Sequence, residues 1–155
     1  MQTVEQLRDL FRYNDWANRR IVVSLKENDC AAAIRILGHL LTTEQEYFER
    51  LYGKDSTGFD FWPALSVVEC GSIAQETAER YEKLIRGFDE NGLDVTARYR
   101  SSEGRPFENT FREILNHVLL HSATHRGGII VKLRDAGFEP PKIDHIIYLR
   151  ETKYV

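Results

Sequence analysis

The chain has 155 residues, about the size of one ordinary domain. It is 42% hydrophobic and 29% charged, close to the average of globular proteins, which excludes wholesale disorder. Its 21 lysines and arginines against 24 aspartates and glutamates give a formal net charge of -3, which argues against a nucleic-acid-binding module. We therefore expect one domain over residues 1–155 with no nucleic-acid partner.

Neither a leader nor a membrane span is evident in the sequence. The first six residues are polar, unlike a signal peptide, and no uncharged apolar run reaches the roughly 18 residues that cross a bilayer. Cys30 and Cys70 form no CxxC motif, so we expect two buried thiols rather than a disulfide. These features predict a cytoplasmic protein with no membrane partner.

Four segments carry the apolar period of an amphipathic helix. They are residues 4–25, 31–52, 66–90 and 110–135. Three of them begin with a capping box, in which a hydroxyl residue and a residue three positions later cap each other. The pairs are Thr3 with Gln6, Ser66 with Glu69, and Thr110 with Glu113. The second helix follows two candidate N-caps, Asn28 and Asp29.

The connections complete the predicted fold. An aromatic loop spans residues 59–63, and residues 95–109 combine β-like runs with turn residues, which predicts a short hairpin. After the Pro-Pro pair at 140–141, Asp144 can cap a last short helix. We predict an all-α protein: a four-helix bundle with a hairpin between helices 3 and 4 and a short C-terminal helix.

Three histidines repeat at i, i+4 on the fourth helix: His117, His121 and His125. Neighbours at this spacing can chelate one metal ion, whereas the outer two lie about 12 Å apart along the helix. The chelating pair is therefore 117/121 or 121/125. Position favours the second pair, because His121 and His125 fall on the apolar stripe and His117 lies beside it. A third ligand from a facing helix would be His39.

The competing interpretation is structural. A histidine in a core commonly hydrogen-bonds a tyrosine, an aspartate or a backbone carbonyl, and spacing alone leaves this reading of His39 open. His145, in the C-terminal segment, is expected to be a surface or packing residue. Three histidines meeting in one bundle could instead satisfy their nitrogens through a metal ion.

Five segments of the chain together resemble the DinB family, metal-binding four-helix proteins related to the YfiT-like group. The resemblance covers nearly the whole chain and has the segments in the family's order. They are residues 13–18 (Tyr-Asn-Asp-Trp-Ala-Asn), 38–41 (Gly-His-Leu-Leu), 102–107 (Ser-Glu-Gly-Arg-Pro-Phe), 116–127 (Asn-His-Val-Leu-Leu-His-Ser-Ala-Thr-His-Arg-Gly) and 140–144 (Pro-Pro-Lys-Ile-Asp).

The resemblance implies a four-helix bundle with a divalent metal, commonly zinc or nickel, held by His39, His121 and His125. It also implies a homodimer, with which an exposed aromatic loop is compatible. His117 then becomes a neighbour of the site, supporting a ligand or donating a hydrogen bond near the pocket. The sequence departs from the family at Gly128, where glutamine is usual, so any role of that glutamine is not transferred.

Three neutral ligands would leave a coordination position open to water or to a small-molecule substrate. Two reaction classes follow: hydrolysis by metal-activated water, or attack by a metal-activated low-molecular-weight thiol on an electrophile. The resemblance favours the thiol S-transferase, since relatives of this fold include transferases and isomerases that use bacterial thiols. The alternatives are a metal-dependent hydrolase and a non-catalytic metal-binding stress protein.

No catalytic base is evident from the sequence. Glu44 and Glu46 follow His39 on the second helix, but neither repeats its face at i+4. Arg126 could clamp an anionic substrate or form an interhelical pair. Tyr13, Asn14 and Trp16 could line a pocket, although aromatic residues on a helical stripe are more often core. The sequence therefore assigns no catalytic and no cofactor-binding residue.

Overall fold

The computed structural model describes residues 1–153. The four long helices are α1 (Val4–Glu27), α2 (Ala31–Arg50), α3 (Val67–Arg86) and α4 (Phe111–Asp135). A short 3-10 helix (Glu90–Asp94) precedes the strands β1 (Thr96–Arg100) and β2 (Pro106–Thr110), and α5 (His145–Thr152) follows α4. The strands pair antiparallel, with Tyr99 opposite Phe107. The predicted fold class is confirmed, including the hairpin and the C-terminal helix.

All three predicted capping boxes form, with both reciprocal hydrogen bonds present. The start of α2 differs from the prediction, because its N-cap is Cys30 and no side chain caps it. Asn28 instead closes α1, where its backbone N–H and side-chain amide both donate to the Ser24 carbonyl. Asp144 occupies the N-cap position of α5 without a side-chain capping hydrogen bond.

The bundle core consists of two apolar clusters that follow each other along the helix axes. The first contains Ala17, Ile21, Leu37, Leu41, Ile129 and Leu133, among others. The second contains Leu7, Phe11, Phe48, Tyr81, Ile114 and Val118, among others. Cys30 and Cys70 are buried free thiols, as expected.

A polar layer separates the two clusters. Buried polar side chains stand between the two apolar sets on each of three helices, at Asn14 and Asn18 of α1, Glu44 of α2, and Ser122 and Arg126 of α4. The helix pairs in closest contact are α2 with α4 and α1 with α3. None of the described helices combines the length and the apolar character that crossing a membrane requires.

Candidate metal centre

Three histidines from two helices meet at the level of the polar layer. His39 comes from α2, and His121 and His125 come from successive turns of α4. One nitrogen of each ring lies within 4.8 Å of the corresponding nitrogens of the other two. Metal–nitrogen bonds near 2.1 Å place the ligands of one ion roughly 3–4 Å apart, so small side-chain rotations bring these three rings onto one cation.

His117, which the sequence predicts to lie beside the apolar stripe of the fourth helix, is outside this group of three histidines. His117 is exposed, and its ring lies 4.7 Å from the Tyr47 ring and 5.6 Å from the His121 ring. The ring of His39 is closer to the other two, at 5.0 Å from His121 and 4.5 Å from His125. The structure thus brings together the pair 121/125 with His39, and not the pair 117/121.

The aromatic loop fixes the orientation of His39, which is only 7% exposed. His39 Nδ1 lies 2.7 Å from the Phe61 carbonyl oxygen. Because a carbonyl only accepts hydrogen bonds, Nδ1 carries a hydrogen, and Nε2 is the nitrogen whose lone pair the neutral ring would offer to a metal. Trp62 stacks on the same imidazole, with ring centroids 3.8 Å apart and planes 2° from parallel. The sequence shows this loop only as an aromatic connection and carries no local signal for a role in orienting His39.

A second set of polar contacts holds the segment that leads into that loop. Glu46 accepts hydrogen bonds from Ser56 Oγ and Lys54 Nζ, both at 2.9 Å. Arg50 donates to Ser56 Oγ and lies over the Phe61 ring at 5.3 Å. The loop that carries the partner of His39 is therefore anchored to the last turns of α2.

The electrostatics of the site favour neutral imidazoles at His121 and His125. Burial first, and then the neighbouring His125 and His39 rings, lower the pKa of His121 to about 4. Burial and His39 also lower the pKa of His125. His121 Nδ1 is buried and has no hydrogen-bond partner within residues 1–153. An orphaned nitrogen in a cluster of three histidine side chains is the arrangement that a divalent transition metal would satisfy.

Behind the histidines, the polar layer forms one continuous network. Glu44 Oε1 accepts hydrogen bonds from Asn14 at 2.8 Å, Asn18 at 3.0 Å and Ser122 Oγ at 2.6 Å. Arg126 donates to the amide oxygens of the same two asparagines. Arg126 is 2% exposed, and burial lowers its pKa while Glu44 opposes that change. It is an interhelical pairing residue, so it does not clamp a substrate.

The family model described as the DinB family matches residues 1–153. The chain belongs to the DinB family. Protein DinB of Bacillus subtilis (strain 168) is 25% identical over 161 residues, which cover 93% of this chain and 94% of that protein. The crystal structure of a DinB-like protein from Bacillus cereus ATCC 10987 matches with a TM-score of 0.72 and 17% identity, covering 91% of this chain and 97% of that one.

Three of the five DinB-like segments, residues 13–18, 38–41 and 116–127, converge on this level of the bundle. Residues 13–18 supply the two asparagines of the network, and residues 116–127 supply two histidines with Ser122 and Arg126. The aromatic residues of the first segment act elsewhere. Tyr13 donates to the Ile143 carbonyl, and Trp16 packs against Tyr148, so both attach α5 to α1.

Two residues singled out in the sequence, Gly128 and His145, lie outside the three-histidine cluster. At Gly128, an added Cβ would make an ordinary contact of 3.7 Å with Ile36, so packing does not demand the glycine. His145 is exposed and contacts the Tyr13 ring edge-on at 4.9 Å, as expected of a surface or packing residue.

Proposed function

We propose that His39, His121 and His125 hold one zinc or nickel ion and that the protein transfers a low-molecular-weight thiol to a small electrophile. The observation that supports this proposal is the convergence of three imidazoles, with one ring already oriented by the Phe61 carbonyl. Within the described chain, the cluster contains no fourth histidine, cysteine or carboxylate ligand. Three protein ligands are the pattern of a catalytic site, since structural zinc takes four.

A cation bound only by neutral ligands keeps its full positive charge and lowers the pKa of a thiol that binds to it. The rest of the chemistry is a displacement. The thiol loses its proton to solvent, and its sulfur supplies the electron pair of a new carbon–sulfur bond. The leaving group departs with the electrons of the bond that breaks. The protein's part is to orient the histidines and to shape the space beside them.

The surroundings of Glu44 favour this reaction over hydrolysis. Activating water for attack benefits from a general base within hydrogen-bond reach. Glu44 is the carboxylate of the polar layer, but it is not part of the group of close metal-binding atoms, and its Oε1 is engaged in three interhelical hydrogen bonds. A thiol with a metal-lowered pKa needs no such base. The DinB resemblance supports the same choice.

The thiol must come from outside the chain. Burial raises the pKa of Cys70 to about 11, with a further contribution from Glu69, so this thiol is a poor nucleophile at neutral pH. Cys30 is also buried, with its Sγ 3.8 Å from the Lys132 carbonyl oxygen. Neither belongs to the histidine cluster.

Turnover of a model electrophile tests the proposal. Metal-loaded protein and chlorodinitrobenzene are incubated with and without cysteine-derived thiols, and both the thioether and chloride are measured. We expect thiol-dependent product that is lost in His39→Ala and kept in the control His117→Ala. Thiol-independent hydrolysis of test esters would instead identify a hydrolase. Bound metal without turnover of any substrate would favour a non-catalytic metal-binding protein.

A further inference from the structure

An exposed cation stands beside the histidine centre. Arg35 precedes His39 by four residues on α2, so both side chains leave the same face of the helix one turn apart. Arg35 is exposed, and its guanidinium carbon lies 5.5 Å from the centroid of the Trp62 ring. The same ring stacks on His39 and is itself 40% exposed.

The guanidinium of Arg35 is available to a ligand. No carboxylate in residues 1–153 forms an ion pair with it, whereas Arg8 and Arg12 both pair with Glu82. The acidic residue near Trp62 is Asp60, whose Oδ1 accepts from the Trp62 backbone N–H at 2.8 Å and so shapes the loop. Among the cations of the site, Arg126 and Arg50 are buried and already hydrogen-bonded.

We propose that Arg35 and Trp62 form a subsite for a thiol that carries a carboxylate group. The planar guanidinium suits a carboxylate, which it can bind through two parallel hydrogen bonds. His39 covers one face of the indole, and the exposed remainder of the ring is the apolar surface that the carbon chain between the carboxylate and the sulfur would contact. The inference rests on the proposed function, and it adds the chemical class of the thiol.

Binding of two matched thiols to the cobalt-loaded protein tests the subsite. The probes are mercaptopropionate and its methyl ester, which differ in the carboxylate charge. Binding is followed through the thiolate-to-cobalt absorption, a readout that needs no turnover. We expect the acid to bind about tenfold more tightly than the ester, the range of one charge-assisted hydrogen-bonded pair.

Variants of Arg35 and Trp62 test which side chain produces the preference for the acid over the ester. Arg35→Gln should reduce it to about twofold or less with cobalt content unchanged, and Arg35→Lys should keep part of it. Trp62→Phe should weaken both thiols. The control is Arg134→Gln, which removes an exposed cation nine residues beyond His125, about 13 Å along α4, and should leave the preference intact.

Three outcomes would overturn the subsite. The preference could persist in Arg35→Gln, which would mean that the carboxylate binds the metal directly. The acid and the ester could bind equally to the wild type. In both cases cobalt still binds and the proposed function stands. Failure of the wild type to bind cobalt or any thiol would overturn the proposed function together with the subsite.

Discussion

Ser122 Oγ donates a 2.6 Å hydrogen bond to Glu44 Oε1, joining α4 to α2 between the two successive histidines of α4. Both residues are buried, at 0% and 4% exposure. The bond therefore fixes how the two helices that carry the histidines are placed against each other. Ser122 follows His121 directly, so a shift of this bond moves a proposed ligand.

Removing that hydroxyl should affect both stability and metal binding. Ser122→Ala leaves Glu44 with fewer donors in a buried site, and we expect a loss of about 1–3 kcal/mol in the free energy of unfolding. We also expect weaker metal binding at a temperature where the variant is fully folded. Urea denaturation and metal titration measure the two effects separately.

The matched control is Ser72→Ala on the exposed face of α3, which should change either quantity little. Unchanged metal affinity in a destabilised Ser122→Ala would show that the network supports only the fold.

The ion-pair cluster of Glu82 should make stability depend on pH. Desolvation raises the pKa of Glu82, but hydrogen bonds from Arg8 and Arg12 outweigh it and lower the pKa to about 2 from an ordinary 4.5. A carboxyl group whose pKa is lower in the folded state stabilises the protein above the unfolded pKa. That stability is lost as pH falls from about 4.5 to 2.

The test compares Glu82→Gln with wild type by urea denaturation across that range. Because Glu82 is partly exposed, we expect a cost of about 1 kcal/mol at pH 7 that shrinks toward zero near pH 2. Glu76→Gln, on the exposed surface of α3, is the control and should show no comparable pH dependence. A difference for Glu82→Gln that stays constant with pH would contradict the ion-pair account.

Replacing two glycines by alanine should change the stability of the protein in opposite directions. Gly127 lies within α4, and an added Cβ there meets no atom within 4 Å. Gly127→Ala should therefore stabilise the protein by about 0.5–1 kcal/mol. Gly104 has φ +78 and its Cβ would lie 3.3 Å from Thr57 Oγ1, so Gly104→Ala should destabilise by about 1 kcal/mol or more. Thermal unfolding measures both; a destabilised Gly127→Ala would show that α4 is constrained at this position.

The two tryptophans allow the position of the metal to be mapped. Trp62 stacks on His39, whereas Trp16 packs against Tyr148 of α5. Nickel quenches a nearby indole, so its addition should reduce the emission of wild type and of Trp16→Phe. Trp62→Phe should lose most of this quenching. Equal quenching in both variants would place the ion away from the loop.

Local signals were sufficient for most of the fold. Capping boxes depend on residues three positions apart, and the apolar stripes depend on one helical turn, so both can be read directly from the chain. The histidine spacing was equally local. The apolar stripe of the fourth helix then separates His121 and His125 from His117, because it shows which positions of that helix face the bundle.

The remaining parts of the site depend on contacts between distant segments. Asn14 is 112 residues from Arg126, and His39 is 22 residues from Phe61. The partner of His39 is a backbone carbonyl, and because every residue has one, the sequence does not show which residue supplies it. The spacing of Asn14 and Asn18, one turn apart on the core stripe of α1, was a signal that could have indicated the polar layer.

The central claim is that three histidines bind one metal ion. Elemental mass spectrometry of untagged, metal-reconstituted protein tests it directly, with His39→Ala and His121→Ala beside the control His117→Ala. The account predicts one zinc or nickel ion per chain in wild type and in His117→Ala, and loss of the ion in the other two variants. A wild-type protein that cannot be loaded with metal, or folded His39→Ala and His121→Ala variants that keep the full content, would contradict it.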